Sequence, residues 1–308
     1  MSVGYRRNLR SWAVALVAAG LLFAGCGNDQ AAGASSSSRS ASGSTSAGGR
    51  VNVLNAGSLE NAVEGDLGHR FAKATPYDFR GYSAGSSTLA NQIKGKVRQG
   101  DVFISADPVV NKDLRGKRNG DWADWWATFA KSPLVIGYNA KSKFADELKS
   151  KPWYEVLSQP GIRIGRTDPK LDPKGEFTVQ ALKKAEKAYN RPQLSKKVLG
   201  NSTVFPETDL VGRLQAGQLD AGFFYSGEVD ELNIPSVDLG KVDVGATYTV
   251  TVLNHAPNRP GAVAFASYLL GGKGSAILKD HGFDVVTDAT VSGSKSHVPR
   301  QLRAKVGG

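Results

Sequence analysis

The stretch YDFRGYSAGSSTLANQIKGKVRQGDVFISAD, residues 77–107, decides the fold class. YDFRGYS (77–83) is a short apolar and aromatic run and reads as a strand. The residues near 87–97 read as a helix, and DVFISAD (101–107) as a buried strand. A strand, a helix and a strand in about 30 residues make a βαβ unit, which implies a parallel pair. The same alternation extends on both sides. VNVLNAG (51–57) is a strand followed by a helix from about 59 to 74. Further strands are SPLVIGYN (132–139), GIRIGRT (161–167), AGFFYS (221–226) and ATYTVTVLN (246–254). A helix over 176–190 carries the apolar stripe Phe177, Ala181, Leu182, Ala185, Ala188 and Tyr189. No internal repeat is visible. Alternation over roughly 235 residues is long for one open sheet with short loops, so two α/β lobes with a cleft between them are expected. Lobe 1 comprises 51–132 and 246–287, and lobe 2 comprises 133–245. Helices over about 258–270 and 272–281 should pack back on lobe 1.

The ends of the chain read differently. Arg6, Arg7 and Arg10 precede SWAVALVAAGLLFAG (11–25), an apolar run shorter than the roughly 20 residues that span a membrane. A basic start, a short apolar stretch and small residues before a cut site describe a secretory signal. Cys26 is the single cysteine, so no internal disulfide is available. Residues 27–50 are rich in Ser, Gly and Ala and read as a flexible linker. Residues 288–308 are basic and are expected to form a poorly ordered tail. The chain's formal charge is +11. Without leader, linker and tail, the body 51–287 keeps only about +4, a weak case for nucleic-acid binding.

Four strand-to-helix turns stand out. Ser58 follows the first strand, and Gly85, Ser86 and Ser87 follow the second. Asp172-Pro173 and Gly175 open the 176–190 helix. Pro206 and Glu207 open another. Asp can cap a helix, and Pro tolerates its first turn. Such turns lie at the carboxyl ends of strands, where α/β folds bind ligands. Each helix start offers unpaired N–H groups and about half a positive charge. Several starts meeting in one cleft would make an anion site without arginine. The plainer alternative is that Ser, Asp and Glu at these starts are caps and nothing more.

The motifs NAGSL, SAGSSTLANQIKGKVRQGDVFISADP, GRTDPKLDPKG, FPETDLVGRLQAGQLDAGFFY and VTVLNHAPNRPGAVAFASYLLGGKGSAILKDHGF occur in this order from 51 to 287. Together they resemble the molybdate/tungstate-binding proteins of ABC importers. FAGC (23–26) resembles a bacterial lipobox, which implies a lipid anchor at Cys26 on the outer face of the cell membrane. The resemblance implies a two-lobed periplasmic-binding fold of type II, with a ligand cleft and two crossing hinge strands. It also implies an oxyanion ligand, an ABC permease with its ATPase as partner, and a monomer. Carried over, Ser58 and Ser86, with Ser87 beside it, are hydroxyl donors from lobe 1, and Tyr225 is a phenol donor from lobe 2. Backbone N–H groups near Gly175 and Glu207 complete the shell. In the archaeal branch two carboxylates approach the metal, which makes Asp172 and Glu207 candidate ligands of a six-coordinate centre, with Asp168 as an alternate for Asp172. Lys174 and Glu176 stand where that branch tends to have a cysteine and a tyrosine. Two unit charges about 4 Å apart repel by roughly 4 kcal/mol at an effective dielectric near 20. A carboxylate beside a dianion must therefore bond the metal, carry a proton or point away.

Little else in the sequence asks for chemistry. Trp122, Trp125 and Trp126 could stack on a sugar or base, but are expected to pack beneath the hinge. His69, His255, His281 and His297 lack metal-ligand spacing, GGKGS (271–275) is no P-loop, and no Gly-x-Ser-x-Gly surrounds Ser86. The expectation is a binding protein with no catalytic residue, cofactor or nucleic-acid partner. Two rivals stay open: a solute-binding protein for sulfate, phosphate, ferric iron or a small organic anion, and an enzyme on the same lobes.

Overall fold

The computed structural model describes residues 48–307. The apolar leader, the lipobox Cys26 and the linker up to residue 47 lie outside the described residues. Eleven strands are present among those described. They are β1 (Arg50–Ala56), β2 (Asp78–Ala84), β3 (Val102–Ser105), β4 (Trp125–Tyr138), β5 (Ile164–Arg166), β6 (Ser202–Val204), β7 (Ala221–Tyr225), β8 (Ser236–Asp238), β9 (Gly245–Val252), β10 (Asp284–Gly293) and β11 (Val306–Gly307).

The strands run β2-β1-β3-β9-β4-β7-β5-β6, with β8 and β10 also on β4. β1 is parallel to β2 and β3, the βαβ geometry read from residues 77–107. β5 is likewise parallel to β6 and β7. β4 joins the two halves. Its first part, through Pro133, pairs antiparallel with β9, and its last part, from Leu134, pairs antiparallel with β7. The chain passes between the halves twice, once along β4 and once between β8 and β9. The crossings touch where the Leu134 N–H donates to the Val244 carbonyl at 2.9 Å. The result is a two-lobed α/β fold.

Residue choice at this crossing follows from space. A Cβ on Gly245 would stand 2.5 Å from the Ser132 carbonyl oxygen and 2.7 Å from the Pro133 Cα, distances that non-bonded carbon does not reach. Nearby, the Ser132 hydroxyl accepts from the Gly227 N–H at 3.0 Å, which ties β4 to the helix that follows β7. β4 begins at Trp125, earlier than the 132–139 run suggested. Trp125 and Trp126 are buried along it before the crossing.

Lobe 1 buries one face of its sheet under helices Arg259–Leu269 and Gly272–Asp280. Phe265 meets Phe71 edge-on at 5.2 Å between ring centroids and stacks on Phe79 at 5.7 Å. One expectation is corrected here. Residues 288–307, read as a disordered tail, are structured: β10 pairs antiparallel with β4 from Trp125 to Lys131, and β11 pairs with β10. Ala289 and Val291 alternate inward, and Val298 and Leu302 are buried. The few apolar residues of this basic segment fall at the spacings that a strand and a tight helical turn bury.

Gly245→Ala is expected to destabilise the fold by about 1–3 kcal/mol, the usual penalty for overpacking. A urea titration of the variant against wild type measures it.

Candidate functional site

Four helix starts meet between the lobes. On lobe 1, Ser58 is buried in the turn after β1, and its Oγ accepts from the Tyr248 hydroxyl of β9 at 3.0 Å. Ser86 is the first residue of helix Ser86–Lys94 and is fully buried. Its Oγ accepts from the Ala106 N–H at 3.1 Å, which ties the helix start to the end of β3. Ser87 is half-buried beside it. The next residue, Thr88, reaches the other lobe: its N–H and its hydroxyl both donate to the Leu171 carbonyl, at 3.0 and 3.1 Å.

On lobe 2, Asp172 caps helix Pro173–Ala188. Its Oδ1 accepts from the Lys174 N–H at 2.8 Å and from the Thr167 hydroxyl at 2.9 Å. Its other oxygen, Oδ2, points to lobe 1, and a Cβ on Gly85 would lie 2.9 Å from it. Asp172 thus satisfies the cap reading with one oxygen while the other faces the cleft. Glu207, the first residue of helix Glu207–Gln215, spans the lobes. Its Oε2 accepts from the Gly57 N–H of lobe 1 at 2.9 Å, and its Oε1 lies 3.2 Å from the Lys174 Nζ. An anionic oxygen therefore sits on the N–H of the turn that carries Ser58. Two inter-lobe cavities, of about 330 and 350 Å³, flank this carboxylate, and Glu207 and Thr208 line both.

Tyr225 ends β7 and is fully buried. Its phenol oxygen has no hydrogen-bond partner among the described residues. Its ring lies edge-on to Tyr248 across the hinge, 6.1 Å between centroids. Buried hydroxyls without partners are rare in folded proteins. Gly175 has a local role. Its N–H bonds to the Asp172 carbonyl at 3.1 Å, and a Cβ there would stand 2.5 Å from the Thr167 carbonyl oxygen. The glycine lets the helix press on its own entry loop. Asp168 is also local, since its Oδ1 accepts from the Lys170 N–H at 2.9 Å. The structure therefore brings Ser58, Asp172, Glu207 and Tyr225 to one buried region, with Ser86 and Ser87 behind the Gly85 turn.

Sequence reasoning passed over Glu228 and Tyr248 and noted Lys174 only as a departure from a pattern. Lys174 is completely buried, and its Nζ donates to Glu228 Oε1 at 2.7 Å. Glu228 Oε2 accepts from the Tyr225 N–H at 2.8 Å. The only available signal was Glu228 at the third position after Tyr225, where a Glu reaches back to a helix start.

These groups shift one another. Burial raises the Asp172 carboxyl well above the ordinary aspartate value, and the neighbouring Glu207 charge pushes the same way, against Lys174 and the Thr167 hydrogen bond. Burial alone would lower the Lys174 ammonium, but Glu228, Glu207 and Asp172 outweigh it and raise it. Burial also raises Tyr225, helped by Asp172, so its phenol stays protonated and able to donate. The raised Asp172 value means that the folded state holds a proton the unfolded chain releases near pH 4. Its contribution to stability is complete below the unfolded value and is lost as pH rises toward the folded one. Wild type should therefore melt at falling temperature from pH 5 to pH 8, and Asp172→Asn should flatten that fall. Thermal melts at the two pH values check it.

Residues 51–284 match the bacterial extracellular solute-binding protein family. An uncharacterized solute-binding protein of Petrotoga mobilis is 32% identical over 235 residues, covering 65% of this chain and 72% of its own. A molybdate/tungstate-binding protein, WtpA, of Thermococcus kodakarensis is 26% identical over 312 residues, covering 82% of this chain and 86% of its own. Among solved structures, the periplasmic molybdate-binding protein of Azotobacter vinelandii superposes with a TM-score of 0.60 at 19% identity, covering 76% of this chain and 98% of that one. Its likeness bears on the fold, which is that of the two lobes described above. The chain belongs to the bacterial extracellular solute-binding protein family.

Proposed function

We propose that the chain captures molybdate or tungstate between its lobes and delivers it to an ABC permease whose ATPase lies inside the cell. The carrying observation is the bond from the Gly57 N–H to Glu207 Oε2 across the cleft. It marks the lobe 1 helix start as a place that holds anionic oxygen, as helix starts do. The Tyr225 phenol, buried without a partner, adds a donor from lobe 2. Ser58 and Ser86 add hydroxyls from lobe 1. An ion touching both lobes favours the closed arrangement by its contacts to each, so closure is a population shift about the hinge. The name of the Thermococcus relative supports molybdate or tungstate as the ligand, and that of the Petrotoga relative supports a solute-binding role alone.

Asp172 and Glu207 answer the repulsion problem in two ways. Hard carboxylate oxygens suit a high-valent metal as fifth and sixth ligands. Alternatively Asp172, whose pKa is raised, keeps its proton and donates to the oxyanion. A second reading draws on the same pair: carboxylate acceptors in the cleft also suit a protonated oxyanion such as phosphate. The protein performs no chemical step, needs no cofactor and acts as a monomer. The FAGC sequence supports a lipid anchor at Cys26 that holds the body on the outer face of the membrane, with the Ser/Gly/Ala linker as tether.

A thermal-shift panel of molybdate, tungstate, sulfate, phosphate and chromate tests the assignment. A ligand at 100 times its dissociation constant adds about 2.7 kcal/mol. At about 2–4 °C per kcal/mol for a chain of this size, molybdate or tungstate should raise the melting temperature by about 5–10 °C. No shift with either ion defeats the proposal, and a shift with phosphate alone selects the second reading. Tyr225→Phe removes a hydroxyl that has no hydrogen-bond partner among the described residues. It should leave the melting temperature of the protein without added oxyanion unchanged or higher, yet weaken oxyanion binding about tenfold, the worth of one hydrogen bond to a charged group. Calorimetric titration reads the second effect.

A further inference from the structure

Among the described residues, Lys174 is the one lysine or arginine that is buried, with 0% exposure. Its place is unfavourable twice over. It is the second residue of helix Pro173–Ala188, where the helix dipole is positive, and burial penalises its charge. A buried ion pair is also a weak device for stability, because apolar residues of the same volume commonly serve as well. Its position does something that methionine cannot. The Nζ is held by Glu228 Oε1 at 2.7 Å, and Glu228 is itself fixed by the Tyr225 N–H at the end of β7. From there the ammonium stands 3.2 Å from Glu207 Oε1, the carboxylate that lies between the lobes. A fixed positive charge thus sits one carboxylate away from the point where the lobes meet.

We propose that Lys174 selects the charge of the bound ion: by offsetting Glu207, it tilts the cleft toward doubly charged tetrahedral oxyanions over singly charged ones of the same shape. This rests on the oxyanion reading. For two ions in one place, the Coulomb interaction with a fixed charge scales with the charge of the ion. The lysine therefore changes the affinity for a dianion by about twice the logarithm of the change for a monoanion. Glu228 tempers the effect, because it takes part of the lysine's charge away from Glu207.

Molybdate and perrhenate test this, being tetrahedral oxyanions of similar size that carry two charges and one. Their affinities for the full chain are measured by calorimetric titration, and the ratio of the two is the readout. Glu228→Gln keeps an oxygen for the Tyr225 N–H and frees more of the lysine's charge, so the molybdate-to-perrhenate ratio should rise about tenfold. Lys174→Met leaves two buried carboxylates without a cation and can fail to fold. The double variant Lys174→Met/Glu228→Gln therefore carries the test, and relative to Glu228→Gln alone its ratio should fall by at least tenfold. A lysine that only props the fold would weaken both ions alike. An unchanged ratio in both comparisons, with wild type binding molybdate, overturns the role of Lys174 alone. Wild type that binds neither ion overturns the oxyanion reading, and this one with it.

Discussion

Glu207 is where the two halves of the molecule meet electrically. One of its carboxylate oxygens accepts from the Gly57 N–H of lobe 1, and the other faces the buried ammonium of lobe 2. Taking a carboxylate out of water is expensive, so it is stable there only while both oxygens are answered. The surrounding architecture supplies the answers. Strand β1 ends in a turn whose Gly57 N–H donates to Glu207, helix Pro173–Ala188 starts with a lysine in its first turn, and β7 ends at a residue whose N–H orients Glu228. Remove the lobe contact, and one oxygen of Glu207 loses its donor while the other keeps only Lys174.

The two halves that make this contact share one strand. β4 belongs to both halves of the sheet and passes from β9 to β7 at the crossing. The crossing is tight, since Gly245 lies against the backbone of Ser132 and Pro133. On one side of it, β10 braces the first part of β4 over Trp125–Lys131. On the other, Ser132 anchors the helix after β7. Each half is therefore stiff up to the crossing. On the proposed capture of an ion between the lobes, a small difference in contacts at the cleft chooses between their relative positions, because packed interiors do not deform continuously.

How much of this the sequence disclosed depended on how local each feature is. β1, β2, β7 and helix Pro173–Ala188 were visible within a few residues, because apolar runs and Asp-Pro punctuation are local signals. β4 was seen only in part, since its Trp-rich beginning does not alternate. The segment 288–307 was misjudged because its charge hid the alternation of Ala289 and Val291. In the site, Asp172 and Glu207 stood out as helix starts. Lys174 read as a departure and Tyr248 as one more strand residue, because burial beside a distant partner leaves no trace in sequence spacing. Gly175 was visible, but its reason was not: it makes room for the carbonyl of Thr167.

By itself the sequence determined seven of the strands in their order, the longer helices, the two-lobed class and the four helix starts. The strands, helices and helix starts follow from hydrophobic periodicity and capping chemistry within about a dozen residues, and the two lobes from the length over which that alternation continues. Only the tertiary structure decided which starts converge, that Glu207 reaches Gly57 across 150 positions of chain, and that the cation answering it is Lys174. Those choices are made by the packing of sheets and by the need to neutralise buried charge. Both act between residues far apart in sequence, where no local pattern records them.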